Sequence, residues 1–111
     1  MSQAALDETL AALADPTRRR VVELLQRRPR RAGELVAEFD VSGPAISRHL
    51  RILKEGGLVA EDRSPDDARC RVYRLLPKPF RDLQAWLSEV ESFWTDQLAS
   101  FKEHAEKRSR S

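Results

Sequence analysis

VSGPAISRHLRILKEGGLV, residues 41–59, reads as one helix whose two ends are set by local chemistry. Ser42 is a good N-cap, and Pro44 falls in the first turn, where a missing amide is harmless. Gly56 and Gly57 supply a left-handed stop after the helix. The stretch therefore predicts a helix with a defined start and a defined end.

The two sides of this helix carry different chemistry. Successive residues of a helix are turned by about 100°, so Ile46, Leu50 and Leu53 share one side. The opposite side is polar and cationic, without an acid in this pattern, and carries Pro44, Ser47, Arg48 and Arg51, with Lys54 near its edge. A solvated helix normally interleaves both signs of charge, so this side predicts contact with an anion.

Length and composition indicate a single domain. Of the 111 residues, 41% are hydrophobic, which is enough for one modest core. We expect one domain over residues 1–106 and a frayed tail over residues 107–111. No apolar run approaches the roughly 18 residues of a membrane span, and a lone cysteine, Cys70, fits a reducing compartment. These features predict a cytoplasmic protein with no membrane partner.

Positive charge is concentrated in the middle of the chain. The net charge is only +2, yet residues 18–74 carry +5 whereas residues 1–17 carry −3. Arg18, Arg19 and Arg20 fan over most of a helical turn, so they cannot all face one ligand. The excess charge therefore belongs to the segment around the basic helix.

Three shorter helices are predicted before the basic one. Apolar residues recur at helical spacing over residues 4–14. Asp15 can cap a second helix over residues 16–28, and a brief third helix follows over residues 32–39. A tight link then leads into the basic helix, so the last two helices form a helix-turn-helix.

Two short runs behind the basic helix predict a β-hairpin. Residues 58–63 and 70–75 are rich in β-branched or aromatic side chains and are separated by a polar segment. The predicted tip carries Arg63, Arg69 and Arg71, as in a wing that reaches along a phosphate backbone. The expected fold is a mainly α winged helix-turn-helix with about five helices and a small β-hairpin.

The last predicted helix carries more apolar surface than a small domain can cover. Its apolar residues alternate in threes and fours over about six turns. They are Phe80, Leu83, Leu87, Val90, Trp94, Leu98 and Phe101, with Trp86 and Phe93 beside them. The surplus predicts burial against a second subunit.

The sequence contains few residues that could form a catalytic site. Two histidines, one cysteine and no glycine-rich phosphate loop provide no catalytic constellation, so we expect neither an enzyme nor a cofactor. His49 lies about 60° from the apolar centre of its helix. We therefore expect it to bond to the wing or to the third helix.

Four segments together resemble a known family. ALADPTRRRVVELL from residue 12, GELV from residue 33, the stretch of residues 41–59 and RVYRL from residue 71 occur in the order and spacing of the ArsR/SmtB winged-helix repressors. The resemblance covers roughly residues 5 to 100. It implies a homodimer whose paired recognition helices enter successive major grooves of a palindromic operator in double-stranded DNA.

The resemblance also assigns roles to residues. The groove-facing set would be Ser42, Pro44, Ser47, Arg48 and Arg51, with Arg63, Arg69 and Arg71 on the DNA backbone or in the minor groove. The first and last helices would form the dimer interface through Leu6, Leu10, Leu83, Trp86, Leu87, Val90, Phe93, Trp94, Leu98 and Phe101. The expected activity is repression, by blocking polymerase at an operator that could be its own.

The sequence departs from the metal-sensing branch of that family. Metal-responsive members carry Cys-x-Cys in the third helix, where this chain has Val36 and Glu38. A second family site needs two histidines per chain, and the last helix has only His104. We therefore expect no metal and no metal regulation, and the inducing signal is not indicated.

Two alternatives remain open. The first is a small-molecule sensor in which Trp86, Phe93, Trp94 and Phe101 line a pocket at the dimer seam. The second is a winged helix used only for contacts with other proteins, against which the cations of the basic helix argue.

Overall fold

The computed structural model describes residues 2–110, with side chains from 2 to 108, as five helices and one small sheet. The helices are α1 (Gln3–Leu13), α2 (Pro16–Arg27), α3 (Ala32–Ala37), α4 (Gly43–Glu55) and α5 (Pro77–Arg110). The strands are β1 (Arg30–Arg31), β2 (Val59–Arg63) and β3 (Arg71–Leu75). The predicted mainly α winged helix-turn-helix is confirmed.

The sheet has a third strand that the sequence did not predict. Its order is β1-β3-β2, and both pairings are antiparallel. Arg30 pairs with Tyr73, and Arg31 with Val72. Two arginines have little intrinsic preference for a strand, so β1 forms because β3 offers it an edge. This pairing attaches the start of α3 to the hairpin.

The predicted boundaries are close to the observed ones except at α3. α3 ends at Ala37 rather than at residue 39, and the amides of Glu38 and Phe39 donate to carbonyls three residues back. Such bonds mark a tightened last turn, which explains the shorter helix. Both strands of the hairpin begin one residue later than predicted.

One core lies among α2, α3, α4 and the base of the hairpin. Its buried members include Val21, Leu24, Leu25, Leu35, Ile46, Leu50, Leu53, Leu58 and Val59. Burial of each such side chain contributes roughly 1.5–3 kcal/mol relative to exposure. The core holds α4 by its apolar side and leaves its cationic side outward.

α5 is the longest element, with 34 residues. It extends to Arg110, so no helix end marks the predicted boundary between residues 106 and 107. Ser111 lies outside the described residues, and the division into a domain and a tail stays a prediction. Within the described part of the chain, no helix has both the length and the apolarity for a membrane span.

Candidate nucleic-acid interface

The N-terminus of α4 is capped as predicted. Ser42 Oγ accepts a hydrogen bond from the amide of Ala45 at 3.3 Å, and Pro44 lies in the first turn. The hydroxyl of Ser42 is therefore already used as an acceptor. Only its proton is left for a phosphate oxygen, so Ser42 serves first as a cap.

The C-terminus of α4 ends in a Schellman motif. The amide of Leu58 donates to the carbonyl of Leu53 and that of Gly57 to Lys54, both at 3.0 Å. Gly57 has a positive φ of 77°, whereas Gly56 stays right-handed. One glycine supplies the stop, rather than the two predicted.

The exposed side of α4, formed by Pro44, Ser47, Arg48 and Arg51, is called here the recognition face. All four side chains are exposed, while Ile46, Leu50 and Leu53 on the opposite side are buried. Neither Arg48 nor Arg51 has an ion pair or a side-chain hydrogen bond within the described chain. Both guanidinium groups therefore keep all their donors available for a ligand.

One acid lies on the same side of α4, so the prediction of an acid-free side was incomplete. Glu55 is exposed and follows Arg51 by four residues, which places it one turn further along the row. Recognition helices present their N-terminal residues to base edges. Glu55 is the last residue of α4, whereas Arg48 and Arg51 lie nearer its N-terminus.

The wing consists of β2, β3 and the tip that joins them, residues 64–70. Arg63 and Arg69 are exposed, and their guanidinium groups form no hydrogen bond or ion pair within the described part of the chain. Arg71 differs because its Nε lies 3.3 Å from Oε1 of Glu61. The three predicted wing cations thus divide into two free ones and one that is already paired.

Glu61 lies between the wing and the recognition helix. One oxygen binds Arg71, and the other lies 3.1 Å from Nζ of Lys54. Its cross-strand neighbour is Tyr73, whose pKa is raised by burial and, to a smaller extent, by the charge of Glu61. Sequence reasoning missed Glu61, because its two partners lie on other elements, Lys54 on α4 and Arg71 on β3. Glu61 ties the position of the wing to that of α4.

His49 contacts α2, so the expectation of a bond to the wing or to α3 was wrong. Nη1 of Arg18 lies 3.3 Å from Nδ1 of His49. The same guanidinium donates through Nε to the carbonyl of Ala12 at 2.7 Å and through Nη2 to that of Ala11 at 3.2 Å. A cation is favourable at a helix C-terminus, and here it also joins α1 to the recognition helix.

Asp15 fixes the start of the helix that carries Arg18. Its Oδ1 accepts hydrogen bonds from the amides of Thr17 at 2.8 Å and Arg18 at 3.1 Å. The bond from the Arg18 amide is the main cause that lowers the pKa of Asp15, although burial acts in the opposite direction. The predicted N-cap of α2 is thus observed.

Sequence comparison identifies the family to which this helix-turn-helix belongs. Residues 15–61, from the cap of α2 into β2, match the family model described as bacterial regulatory protein, arsR family. The HTH-type transcriptional regulator Rv2034 of Mycobacterium tuberculosis is 41% identical over 95 residues, which cover 86% of this chain and 83% of that protein. The chain belongs to the ArsR family.

Further similar proteins agree with this assignment. The transcriptional repressor SdpR of Bacillus subtilis is 36% identical over 58 residues, 52% of this chain and 64% of its own length. The solved ArsR-like transcriptional regulator from Rhodococcus sp. RHA1 has a TM-score of 0.79 at 31% identity, over 94% of this chain and 93% of that one. The protein is a DNA-binding transcriptional regulator and not an enzyme, as the sequence predicted.

The residues of this ArsR-family chain do not fit the metal that other members sense. At the two thiolate positions, Val36 of α3 has no donor atom, and Glu38, directly after α3, offers a hard oxygen instead of sulfur. Between residues 2 and 108, no group of three or more His, Cys, Asp or Glu side chains is close enough to hold a metal ion. No step of the function is therefore assigned to a metal.

The predicted dimer residues differ in how much surface they offer. Leu6 is only 5% exposed because its own chain buries it, so it has little surface for a partner. Leu83 and Trp86 are partly buried. The remaining members are exposed, and they are Leu10, Leu87, Val90, Phe93, Trp94, Leu98 and Phe101.

From Leu87 onward, α5 carries an apolar stripe that its own chain does not cover. We define the stripe as Leu87, Val90, Phe93, Trp94, Leu98 and Phe101. Phe93 and Trp94 are edge-to-face neighbours with ring centroids 6.3 Å apart, and each is about 60% exposed. A pocket between these aromatic rings would need a second subunit, so the sensor alternative stays a hypothesis.

Proposed function

We propose that the protein is a homodimeric, sequence-specific repressor that occupies a palindromic operator in double-stranded DNA. The observation that carries this proposal is the recognition face, where Arg48 and Arg51 are exposed and unpaired on a helix anchored by its buried side. Arginine pairs bidentately with guanine in the major groove, which a helix of this size can enter. Two relatives are named repressors, SdpR of Bacillus subtilis and SmtB of Mycobacterium tuberculosis.

The apolar stripe of α5 supports the dimer. Each fully covered Leu, Val or Phe side chain contributes roughly 1.5–3 kcal/mol, so leaving the stripe in water is costly. In a two-fold dimer built on α1 and α5, two copies of the recognition face would address half-sites about 34 Å apart, one turn of DNA. That symmetry requires a palindromic operator.

The recognition face and the wing would make different kinds of contact with DNA. Arg48 and Arg51 would read bases, whereas Arg63 and Arg69 would contact phosphates and supply affinity without sequence information. Arg71 would add less because Glu61 already holds its guanidinium. The proposed regulator acts in the cytoplasm, where bacterial operators lie, and without a metal, because Val36 and Glu38 stand where the metal-sensing branch has thiolates.

The direct test selects genomic fragments bound by the purified protein, with and without zinc, and then measures the affinity of variants for the selected operator. Arg48→Ala and Arg51→Ala should each cost about 1–3 kcal/mol of operator binding and relax the sequence preference. Arg20→Ala, an exposed arginine of α2 paired with Glu23, is the matched control. If both recognition-face variants bind like the control, α4 is not the reading element.

The wing is tested by salt dependence. Arg69→Ala should weaken binding to all duplexes alike and reduce the slope of log affinity against log salt by about 1. Identical fragment sets with and without zinc are expected. The absence of any salt-sensitive duplex binding would instead support the alternative of a module for protein contacts.

A further inference from the structure

A groove of about 720 Å³ lies among the end of α2, strand β3 and the start of α5. Its floor is apolar and is formed mainly by Val22, Leu25, Leu75 and Phe80. The volume falls within the range of about 300–1,000 Å³ that is typical of small-molecule sites. No residue of the recognition face lines this groove, so DNA contact does not account for it.

The rim of the groove carries only one sign of charge. Four arginines line it, namely Arg27, Arg28, Arg74 and Arg81, and no acid does. Arg28 is paired with Glu34 at 2.8 Å and Arg74 with Asp62 at 2.7 Å. Arg27 and Arg81 have no ion pair within the described chain. Two guanidinium groups therefore stand unneutralised beside an apolar floor.

We propose that this groove binds an amphiphile with one carboxylate head and an unbranched apolar tail, of the class of medium-chain fatty acids. The tail would cover the floor formed by Leu25, Leu75 and Phe80. The head would lie at Arg27 and Arg81, because guanidinium groups hold carboxylates through strong, charge-assisted hydrogen bonds. A neutral ligand would leave both cations without a counter-charge.

Occupation of the groove would be coupled to DNA binding through its walls. α2 packs on α4, β3 is a strand of the wing, and α5 carries the apolar stripe. A ligand that contacts all three elements favours the arrangement in which it fits best, and thereby shifts the affinity for DNA. This regulatory role rests on the proposed DNA-binding function, whereas the binding of the amphiphile does not.

The binding test titrates decanoate into the full-length protein by calorimetry, with decan-1-ol as the neutral analogue of equal length. Saturable binding of one decanoate per chain is expected, with decan-1-ol about tenfold weaker or worse. The double variant Arg27→Gln/Arg81→Gln should bind decanoate at least tenfold more weakly, and Arg20→Gln on the same helix should bind it normally. Gln84→Trp should block the groove without changing any charge, which separates steric from electrostatic effects.

Two results would overturn the proposal. They are the absence of saturable decanoate binding, and equal affinity of the wild-type protein and the Arg27→Gln/Arg81→Gln variant. If decanoate does not bind and Gln84→Trp weakens self-association in sedimentation, a second copy of the chain covers the groove instead.

The proposed effect of the ligand on DNA binding is measured in a separate experiment. Decanoate should change operator affinity by about tenfold or more in the wild-type protein, a coupling of ordinary size, and should leave it unchanged in Gln84→Trp. Equal operator affinity with and without bound decanoate would refute the regulatory role but not the binding site. A protein that binds decanoate but no duplex DNA would refute the proposed function alone.

Discussion

α4 and α5 are both amphipathic helices, but only α4 has its apolar side covered by its own chain. Leu50 and Leu53 of α4 are 2% and 0% exposed, whereas Leu98 and Phe101 of α5 are 63% and 72% exposed. α4 packs on α2, α3 and β2, while α5 contacts α1 and then extends beyond the body of a molecule that measures 75 × 28 × 23 Å. The apolar side of α4 is thus covered within one chain, which leaves its polar side outward, whereas the apolar side of α5 is left exposed for the partner subunit that we propose.

The largest expected effect on stability comes from replacing a leucine of α4 by alanine, compared with the same replacement in α5. Leu53→Ala should lower the free energy of unfolding by about 2–5 kcal/mol at every protein concentration, because it leaves a cavity in the core. Leu98→Ala should change the free energy of unfolding by no more than about 0.5 kcal/mol at concentrations where the chain is monomeric. It should lower that free energy further at concentrations where the chain self-associates. Urea unfolding at low and high protein concentration measures both. Equal losses at low concentration would mean that the chain itself covers the stripe.

A charge placed on the stripe should weaken the proposed dimer. Trp94→Glu should weaken the dimer by about a hundredfold, because a carboxylate without a partner would be buried at the interface. Ser92→Glu adds the same charge on the opposite side of α5 and is expected to leave the dimer intact. Sedimentation over a range of concentrations gives both dissociation constants. Similar values for the two variants would place the interface elsewhere.

Arg18 connects the two regions, since it joins the end of α1, which packs on α5, to His49 of α4. Arg18→Ala should destabilise the protein by about 1.5–3 kcal/mol and lower the hydrogen-exchange protection of α4. Arg19→Ala removes one exposed bond, from Nη1 to the carbonyl of Leu13 at 2.8 Å, and should cost less. Equal protection of α4 in the two variants would contradict this link.

The smallest effect concerns the cap of α2. Asp15→Ala should cost about 1 kcal/mol at neutral pH, and Asp15→Asn less, because asparagine keeps an acceptor. The pKa of Asp15 is lowered in the folded protein, so its stabilisation is full above the ordinary pKa of an aspartate, about 3.9, and is lost as pH falls through the lower pKa of the folded state. Unfolding measured from neutral to acidic pH should show the wild-type advantage over Asp15→Asn shrinking in acid. A constant advantage would exclude this charge effect.

Sequence reasoning succeeded where the signal is local or periodic. The caps at Ser42 and Asp15 and the buried row of Leu50 and Leu53 are read from residues a few positions apart. The same periodicity also places Glu55 beside Arg51 on the cationic side, so this acid was readable from the sequence. Strand β1 could not be found, because two arginines favour a strand only when the edge of β3 is present.

The sequence by itself determined the helix-turn-helix, the wing and the cationic side of α4, because capping and periodicity act over a few residues. Only the tertiary structure decided which cations are free. It pairs Arg71 with Glu61 across the hairpin and brings Arg18 to His49, 31 positions away, while Arg48 and Arg51 stay unpaired. Contacts between distant residues depend on how the core packs the elements together, and no local pattern records them.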